Sequence, residues 1–272
     1  MKNKTLLSLV IRWAILVIVL IAIYLPIALI VVYSFSEVRD LGGEYGSFSF
    51  NLYTKLFKNK ELMQATANTL IIGLTSAFLA TVLGTVSAIG IHYMTKMRKT
   101  VDTASQITVV NAEIVTAMGF YLLFIFMRDV LKISFNLGLG WLILAHTVIT
   151  TPYVILSVSP RLKQLNPNLL EASMDLGASP MRSLITVMLP QLAGAMISGF
   201  ALAFTLSLDD FVVTSINGGN TYTISTFVYN HIRRSGVLPE VRALSTIIFL
   251  VVLIVMIVVN VIKNRKLKSE NK

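Results

Sequence analysis

Long uncharged apolar stretches recur along the chain, and the charges lie in the segments between them. A helix needs about 20 apolar residues to cross the hydrocarbon core of a bilayer. Six stretches reach this length, and they predict transmembrane helices at about 14–33, 67–90, 104–127, 137–159, 189–212 and 243–262. The pattern therefore predicts an all-α integral membrane protein with six transmembrane helices.

Composition excludes several other classes of protein. Hydrophobic residues make up 55% of the chain and charged residues only 13%, whereas a soluble domain is about 25% charged. These values exclude a soluble nucleic-acid binder, a disordered tail and a secreted disulfide scaffold. The chain has no cysteine, so it offers no disulfide, thiol nucleophile or thiolate metal site. The first apolar stretch is too long for a signal peptide and no small-residue cleavage site follows it, so we expect a retained helix.

The distribution of Lys and Arg predicts the orientation. The net charge is +10, and fourteen of the 23 basic residues fall on the side that holds both termini. The nine others fall in the longer loops of the opposite side. Because cytoplasmic loops carry an excess of Lys and Arg, we expect both termini in the cytoplasm, next to anionic membrane lipid.

The cytoplasmic segment 161–188 carries helix start and stop signals where a plain connector would need far fewer residues. Asn166 suits an N-cap and Pro167 the first helical position. Gly177 follows the predicted helical segment 168–176 at a helix C-terminal position. Ser179 and Pro180 then begin a second helix. The short helix is largely apolar and needs a partner surface, which is either another protein or lipid headgroups.

A motif in this segment carries a resemblance to a known family. Its members are Glu171, Ala172, Ser173, Gly177, Val187, Leu189 and Pro190. Their spacing resembles the E-A-A-x3-G-x9-I-x-L-P motif of the permeases of binding-protein-dependent ABC importers. Ser173 stands where that motif has its second alanine, and Val187 where it has isoleucine. The resemblance favours protein docking over lipid contact, because a helix lying on headgroups needs no glycine at this offset.

The resemblance implies a MetI-like importer permease fold with a cytoplasmic coupling helix in the plasma membrane of a prokaryote. Residues Glu171, Ala172, Ser173, Gly177, Leu189 and Pro190 would couple the chain to an ATPase. Asn68-Thr69-Leu70 is similar to the start of the permease core. The implied divisions are an N-terminal helix and extracellular loop at 1–64, the five-helix core at 65–259 and a basic cytoplasmic tail at 260–272.

The same resemblance implies the partners. A second permease subunit would supply the other half of a pore, an ATPase dimer would bind below, and an extracellular binding protein would deliver cargo. The chain has no phosphate-binding glycine loop, so we expect nucleotide hydrolysis to come from another polypeptide and this chain to be a transport subunit, not an enzyme. We expect no cofactor and no metal on this chain, with ATP and Mg²⁺ used by the partner ATPase.

Three acids inside predicted spans are the candidate substrate-pathway residues, because an ionisable group in a membrane is costly. Glu113 lies about 14 Å into the third predicted span, near its middle. Asp209 and Asp210 lie about 30 Å beyond Leu189, near the outer mouth. Neither span contains Lys or Arg, so a cation is the expected cargo. The alternatives are a helix–helix hydrogen bond for Glu113 and, for the aspartates, simple solvation or pairing with Arg233 or Arg234.

Aromatic and histidine side chains give weaker indications of a substrate pathway than the acids do. Aromatic rings that could contact a cation are Phe120, Tyr121, Tyr153, Phe204 and Phe211. The three histidines, at 92, 146 and 231, are scattered along the sequence and receive no role. No grouping typical of a catalytic site is present.

Three further segments indicate the cargo. They are F-T-L-S-L-D-D at 204–210, P-E-V-R-A-L-S-T at 239–246 and A-E-I-V at 112–115. They resemble segments of the permeases of spermidine/putrescine importers, which implies a polyamine substrate and an extracellular polyamine-binding protein. Arg242 and Ala112 replace the usual Asn and Pro. Arg242 could disfavour a polycation or belong to the docking face of the binding protein.

Two other functions remain open at this point. A sibling importer would carry ferric iron, thiamine or an anion, although an anion calls for basic pore residues that these spans lack. A self-sufficient secondary transporter needs internal repeats and an ion site in one chain, and no convincing repeat is visible.

Overall fold

The computed structural model describes residues 2–38, 46–133, 136–166, 168–236 and 238–270. Within these ranges the regular structure is helical, apart from one isolated antiparallel bridge between Ser36 and Phe48. The helices are α1 Lys2–Tyr33, α2 Asn51–Lys58, α3 Lys60–Tyr93, α4 Arg98–Val110, α5 Glu113–Asp129, α6 Leu139–Gln164, α7 Leu169–Asp175, α8 Pro180–Ser183, α9 Leu189–Asp209, α10 Val212–Asn217, α11 Ile224–Ser235 and α12 Pro239–Glu270. The all-α prediction is confirmed.

Four helical stretches of the described chain are long and apolar enough to cross a membrane: Ile11–Tyr33, Lys60–Tyr93, Leu139–Gln164 and Pro180–Asp209. They correspond to four of the predicted spans. The third predicted span, 104–127, is wrong as a continuous helix, because the chain breaks between α4 and α5. The sixth falls within α12, where the side chains of residues 255, 256 and 258–270 lie outside the described residues, so the count of six stays a prediction.

The chain forms two compact units. The first contains residues 1–63 and 228–272, and in it α12 packs against α1 and α2. Arg242 on α12 is only 4% exposed, and its Nη1 donates to the Val38 carbonyl at 2.6 Å. A buried guanidinium that holds a loop inside its own unit does not fit the expected docking face, so we assign Arg242 to the fold.

The second unit contains residues 64–227, and its core forms where α3, α6 and α9 meet. Val154 on α6 lies at the centre of this contact. A Cβ added at Gly84 on α3 would lie 2.6 Å from the Val154 Cβ, and one at Gly199 on α9 would lie 3.1 Å from its Cγ1. Small residues therefore let the three backbones approach closely, as packing in a membrane requires.

The segment between α6 and α9 contains the two predicted short helices, but the first begins two residues later than predicted. Asn166 Oδ1 accepts from the Asn168 amide at 3.0 Å in the turn before α7, and the N-cap of α7 is Asn168, not Asn166. Gly177 ends the helix with φ of +88°, a conformation that glycine adopts at little cost. The Ser179 Oγ then accepts from the Arg182 amide at 3.4 Å, which caps α8. The predicted role of Pro167 lies outside the described residues.

A π-helical turn, Leu184–Met188, joins α8 to α9 without a break. Pro190 follows it, and proline inside an α-helix removes one hydrogen bond and crowds the carbonyl four residues earlier. A wider turn relieves that crowding. The Gln191 side chain donates to the Val187 carbonyl at 3.2 Å, which satisfies an acceptor in this irregular turn.

An acidic cavity as the candidate functional site

The chain leaves the helical conformation directly after Asp209, the last residue of α9. Asp210 is extended, with φ of −61° and ψ of 126°. Its Oδ1 accepts from the Val213 amide at 3.2 Å, and its Oδ2 accepts from both the amide and the hydroxyl of Thr214 at 2.9 Å. Asp210 therefore caps the N-terminus of α10, and the predicted span 189–212 ends at Asp209.

A second break places Glu113. Asn111 and Ala112 are extended between α4 and α5, and Glu113 is the first residue of α5. The Asn111 side chain donates to the Thr116 hydroxyl at 3.0 Å across this start. The prediction that Glu113 lies midway along a continuous helix is thus wrong. A carboxylate in the first turn of a helix is favoured by the helix dipole, without a basic partner.

The two breaks open onto one cavity of about 160 Å³, which is lined by all three predicted acids, Glu113, Asp209 and Asp210. Lys and Arg are absent from its lining. The other lining residues are Asn111, Thr116, His146, Ile149, Thr150, Tyr153, Leu206, Ser207, Phe211 and Val213. The structure thus brings together acids that the sequence placed at different depths.

The two adjacent aspartates have different surroundings. Asp210 has a side chain that is 12% exposed, and it is engaged in the cap. Asp209 and Glu113 are exposed, and within the described part of the chain neither carboxylate has a hydrogen bond or an ion pair. Two carboxylates are therefore available to a positively charged ligand.

His146 is a member of this site that the sequence did not single out. It lies on α6 with 2% of its surface exposed. Its Nδ1 lies 2.7 Å from the Ser207 Oγ, and its Nε2 lies 3.3 Å from the Thr214 Oγ1 and 3.5 Å from the Asp210 Oδ2. These partners lie more than sixty residues after His146 in the sequence, so the local sequence pattern could not predict the contacts.

The candidate aromatic residues divide into two groups. Tyr153 and Phe211 line the cavity. Phe120 instead packs edge-on against Trp141 at 6.4 Å between ring centroids, and Phe204 stacks on Phe200 at 6.2 Å. Tyr121 is not among the lining residues. Two rings therefore remain for contact with a cation.

The motif residues between α6 and α9 form a second candidate surface. Glu171 and Ala172 are exposed on α7, and Leu176 just beyond it is 90% exposed. Met181 on α8 is 66% exposed. Exposed apolar side chains next to a short helix are typical of an interaction surface.

The motif residues Leu189 and Pro190 lie at the start of α9, the helix that ends at Asp209. An unbroken helical stretch, Pro180–Asp209, thus connects the exposed segment with the acidic cavity.

Comparisons with known proteins agree on one family. Residues 80–267 match the binding-protein-dependent transport system inner membrane component family. The spermidine/putrescine transport system permease protein PotC of Haemophilus influenzae is 35% identical over 245 residues, which cover 90% of this chain and 92% of that protein. The putrescine transport system permease protein PotI of Escherichia coli K12 is 34% identical over 229 residues, 83% of this chain and 81% of that one.

A solved structure supports the fold. One chain of a bacterial ABC transporter involved in the import of the acidic polysaccharide alginate superposes with a TM-score of 0.71. The match covers 97% of this chain and 98% of that chain at 15% sequence identity. At this identity the likeness concerns the architecture alone.

Proposed function

Because the chain belongs to the family of inner membrane components of binding-protein-dependent transport systems, we propose that it is a permease subunit of an ATP-driven importer of polyamines such as spermidine and putrescine. The observation that carries the proposal is the cavity lined by three carboxylates and by no Lys or Arg. The names of the similar permeases PotC and PotI support the same cargo.

The chemistry of a polyamine matches the cavity lining. A polyamine is a flexible chain of ammonium groups separated by methylene groups. Asp209 and Glu113 supply negative charge, and the rings of Tyr153 and Phe211 supply cation–π contacts of about 0.5–2 kcal/mol each. Apolar lining residues such as Ile149 accept the methylene groups. An anionic cargo would find no basic side chain among these lining residues.

The cytoplasmic segment would connect this site to the energy source. In our proposal α7 docks into a cytoplasmic ATPase, with Glu171 and Ala172 on the contact face and Leu176 buried by the partner. The ATPase dimer binds ATP and Mg²⁺, and this chain contributes no residue to hydrolysis. Docking from this side requires both termini of the chain to lie in the cytoplasm.

The chain would form half of the pore. A second permease subunit faces the open side of the cavity, and a polyamine-binding protein delivers cargo from outside. Nucleotide binding and release shift the assembly between outward-open and inward-open states, which is a population shift driven by a ligand. In the outward-open state Asp209 and Glu113 receive the ammonium groups together, since they line one cavity.

The proposal is tested by purifying this chain with its co-expressed neighbours and reconstituting the complex into liposomes. We expect co-purification with an ATPase, a second permease and a binding protein, and ATP-dependent uptake of labelled spermidine or putrescine. Uptake of ferric iron or thiamine, without polyamine uptake, would replace the proposed cargo. ATP-independent uptake by this chain alone would indicate a secondary transporter instead.

A further inference from the structure

We infer that His146 is a positioning residue of the cation site. It holds the break between α9 and α10 so that Asp210 serves as a structural cap, while Asp209 and Glu113 contact the cargo. The inference rests on the proposed function and adds two points to it. The three acids have different roles, and His146 acts through one of them, Asp210.

The imidazole contacts both sides of the break. On the α9 side, Nδ1 lies 2.7 Å from the hydroxyl of Ser207. On the α10 side, Nε2 lies within 3.3 Å of the Thr214 hydroxyl and 3.5 Å of the Asp210 carboxylate. A neutral imidazole donates through one nitrogen and accepts through the other, and an imidazolium donates through both. Because the Thr214 hydroxyl donates to Asp210, Nε2 must carry a proton to bond this side. The neutral tautomer that accepts from Ser207 at Nδ1, and the imidazolium, therefore both link Ser207 to the cap of α10.

The Ser207 end of this link is itself held. The Ser207 Oγ lies 3.2 Å from the Ser76 Oγ on α3, and the Ser76 hydroxyl also bonds the Ile72 carbonyl at 2.6 Å. All three side chains, of Ser76, His146 and Ser207, are nearly fully buried. A buried polar chain of this kind is costly to break, because each member would lose its partner away from water.

The other end of α10 is fixed independently. Asn217 accepts from Trp141 Nε1 at 3.2 Å and donates to the Ala117 carbonyl at 3.0 Å. Loss of the His146 contacts would therefore release the start of α10 while its end stays docked. The released part adjoins Asp209, and a displacement of about 1 Å at a recognition group is sufficient to impair function strongly.

The first experiment compares three variants in the reconstituted complex. His146→Ala removes both contacts, and we expect polyamine uptake to fall about tenfold at an unchanged membrane level and unchanged ATPase association. His146→Gln keeps an amide that can donate to Thr214 and Asp210, so it should recover most of the uptake. Thr147→Val is the matched control, because its hydroxyl bonds only the Ile143 carbonyl of its own helix.

A wild-type rate in His146→Ala would overturn the inference, and so would equal losses in His146→Ala and His146→Gln. The variants also distinguish positioning from general stability. Asp210→Ala and His146→Ala act on the same cap, so the double variant should lose no more uptake than the more severe single variant. Independent, multiplicative losses would contradict a shared cap.

A second measurement does not depend on the cargo. The chain has no cysteine, so Asp209→Cys introduces a unique thiol, and its reaction with a cationic methanethiosulfonate is followed by mass spectrometry of this chain. We expect His146→Ala to change the labelling rate by several-fold and Thr147→Val to leave it unchanged. An unchanged rate in His146→Ala would overturn positioning, even in a complex that proved to carry a different cargo. Absence of polyamine uptake by the wild type, with labelling as expected, would overturn the proposed cargo alone.

Discussion

The hydroxyl of Ser183 donates to the hydroxyl of Ser173 at 2.9 Å and ties α8 to α7 across the turn at Gly177. Ser173 stands where the importer motif has its second alanine, so this chain adds a hydrogen bond at a position where the motif has none. Ser183 is fully buried. The bond therefore fixes the angle between the short exposed helix and the long helix that leads to the cavity.

We expect Ser173→Ala to destabilise this turn by about 1 kcal/mol, because the buried Ser183 hydroxyl loses its acceptor. Ser183→Ala should have a similar effect, and the double variant should cost little more than either, since no polar group is then left unpaired. Hydrogen exchange of residues 169–188 in the purified complex measures the change. Strictly additive losses would show that the two hydroxyls do not interact.

Substitutions at Gly177 should act through backbone strain and not through crowding by the added side chain. Its φ is +88°, and a Cβ placed there would have no atom within 4 Å. Gly177→Val strains the left-handed conformation by about 1–2 kcal/mol and should abolish uptake while the chain still inserts. Gly177→Asn should keep more activity, because Asn visits this conformation more readily.

The matched control for Gly177 is Gly194→Ala on α9, which also places a Cβ in open space but at an ordinary helical φ. Its uptake should equal that of the wild type. Uptake of labelled polyamine and co-purification of the ATPase are measured in parallel. Normal uptake by Gly177→Val would remove the basis for assigning α7 as the coupling helix.

Asp209 and Asp210 should respond differently to the same substitution. Asp209→Asn removes a charge that faces the cavity, so we expect a large loss of uptake with unchanged thermal stability. Asp210→Asn keeps an acceptor oxygen for the cap, since Asn caps helices about as well as Asp, and it should retain most uptake. Asp210→Ala loses the cap and should cost about 0.5–2 kcal/mol.

Thermal unfolding and transport of these three variants are compared at equal membrane levels. If Asp210→Asn were as inactive as Asp209→Asn and equally stable, both charges would face the cargo, and the division between the two aspartates would be wrong.

Gly84 should be a packing position. Gly84→Ala would bring a methyl group to 2.6 Å from the Val154 Cβ, and such overpacking costs about 1–3 kcal/mol. Gly90→Ala lies on the same helix with no atom within 4 Å of the added Cβ, so it should leave stability unchanged or raise it slightly. Thermal unfolding of the purified chain compares the two, and equal stabilities would contradict the close contact between α3 and α6.

Local signals in the sequence predicted part of the fold well and failed at the two helix breaks. Gly177 ends α7 and Ser179 caps α8 through contacts within three or four residues of their own positions, so their spacing was enough to predict these roles. The predicted cap at Asn166 was wrong by two residues, because α7 begins after Asn168. The break before Glu113 contains neither Gly nor Pro. Ala112 occupies the place where similar permeases have Pro, and the extended backbone persists without it.

The sequence predicted which acids belong to the candidate site, but it did not predict how they are arranged. The three acids stand out because charge is rare in apolar stretches, and all three line the cavity. Their separate depths were inferred from helices assumed to be continuous, and that assumption failed at Asn111 and at Asp210. His146 gave no local indication, because its partners Ser207 and Thr214 become neighbours only through the packing of α6 against α9 and α10.

The unbroken helix Pro180–Asp209 has a mechanical consequence. Its 30 residues form a rod about 45 Å long, with α7 held at one end by the Ser183–Ser173 hydrogen bond and Asp209 at the other. In a rigid lever of that length, a tilt of about 5° at the end that carries α7 displaces the far carboxylate by about 4 Å. That travel exceeds the reach of a hydrogen bond, so in the proposed importer a small tilt of the end docked on the ATPase would be enough to bind or release an ammonium group.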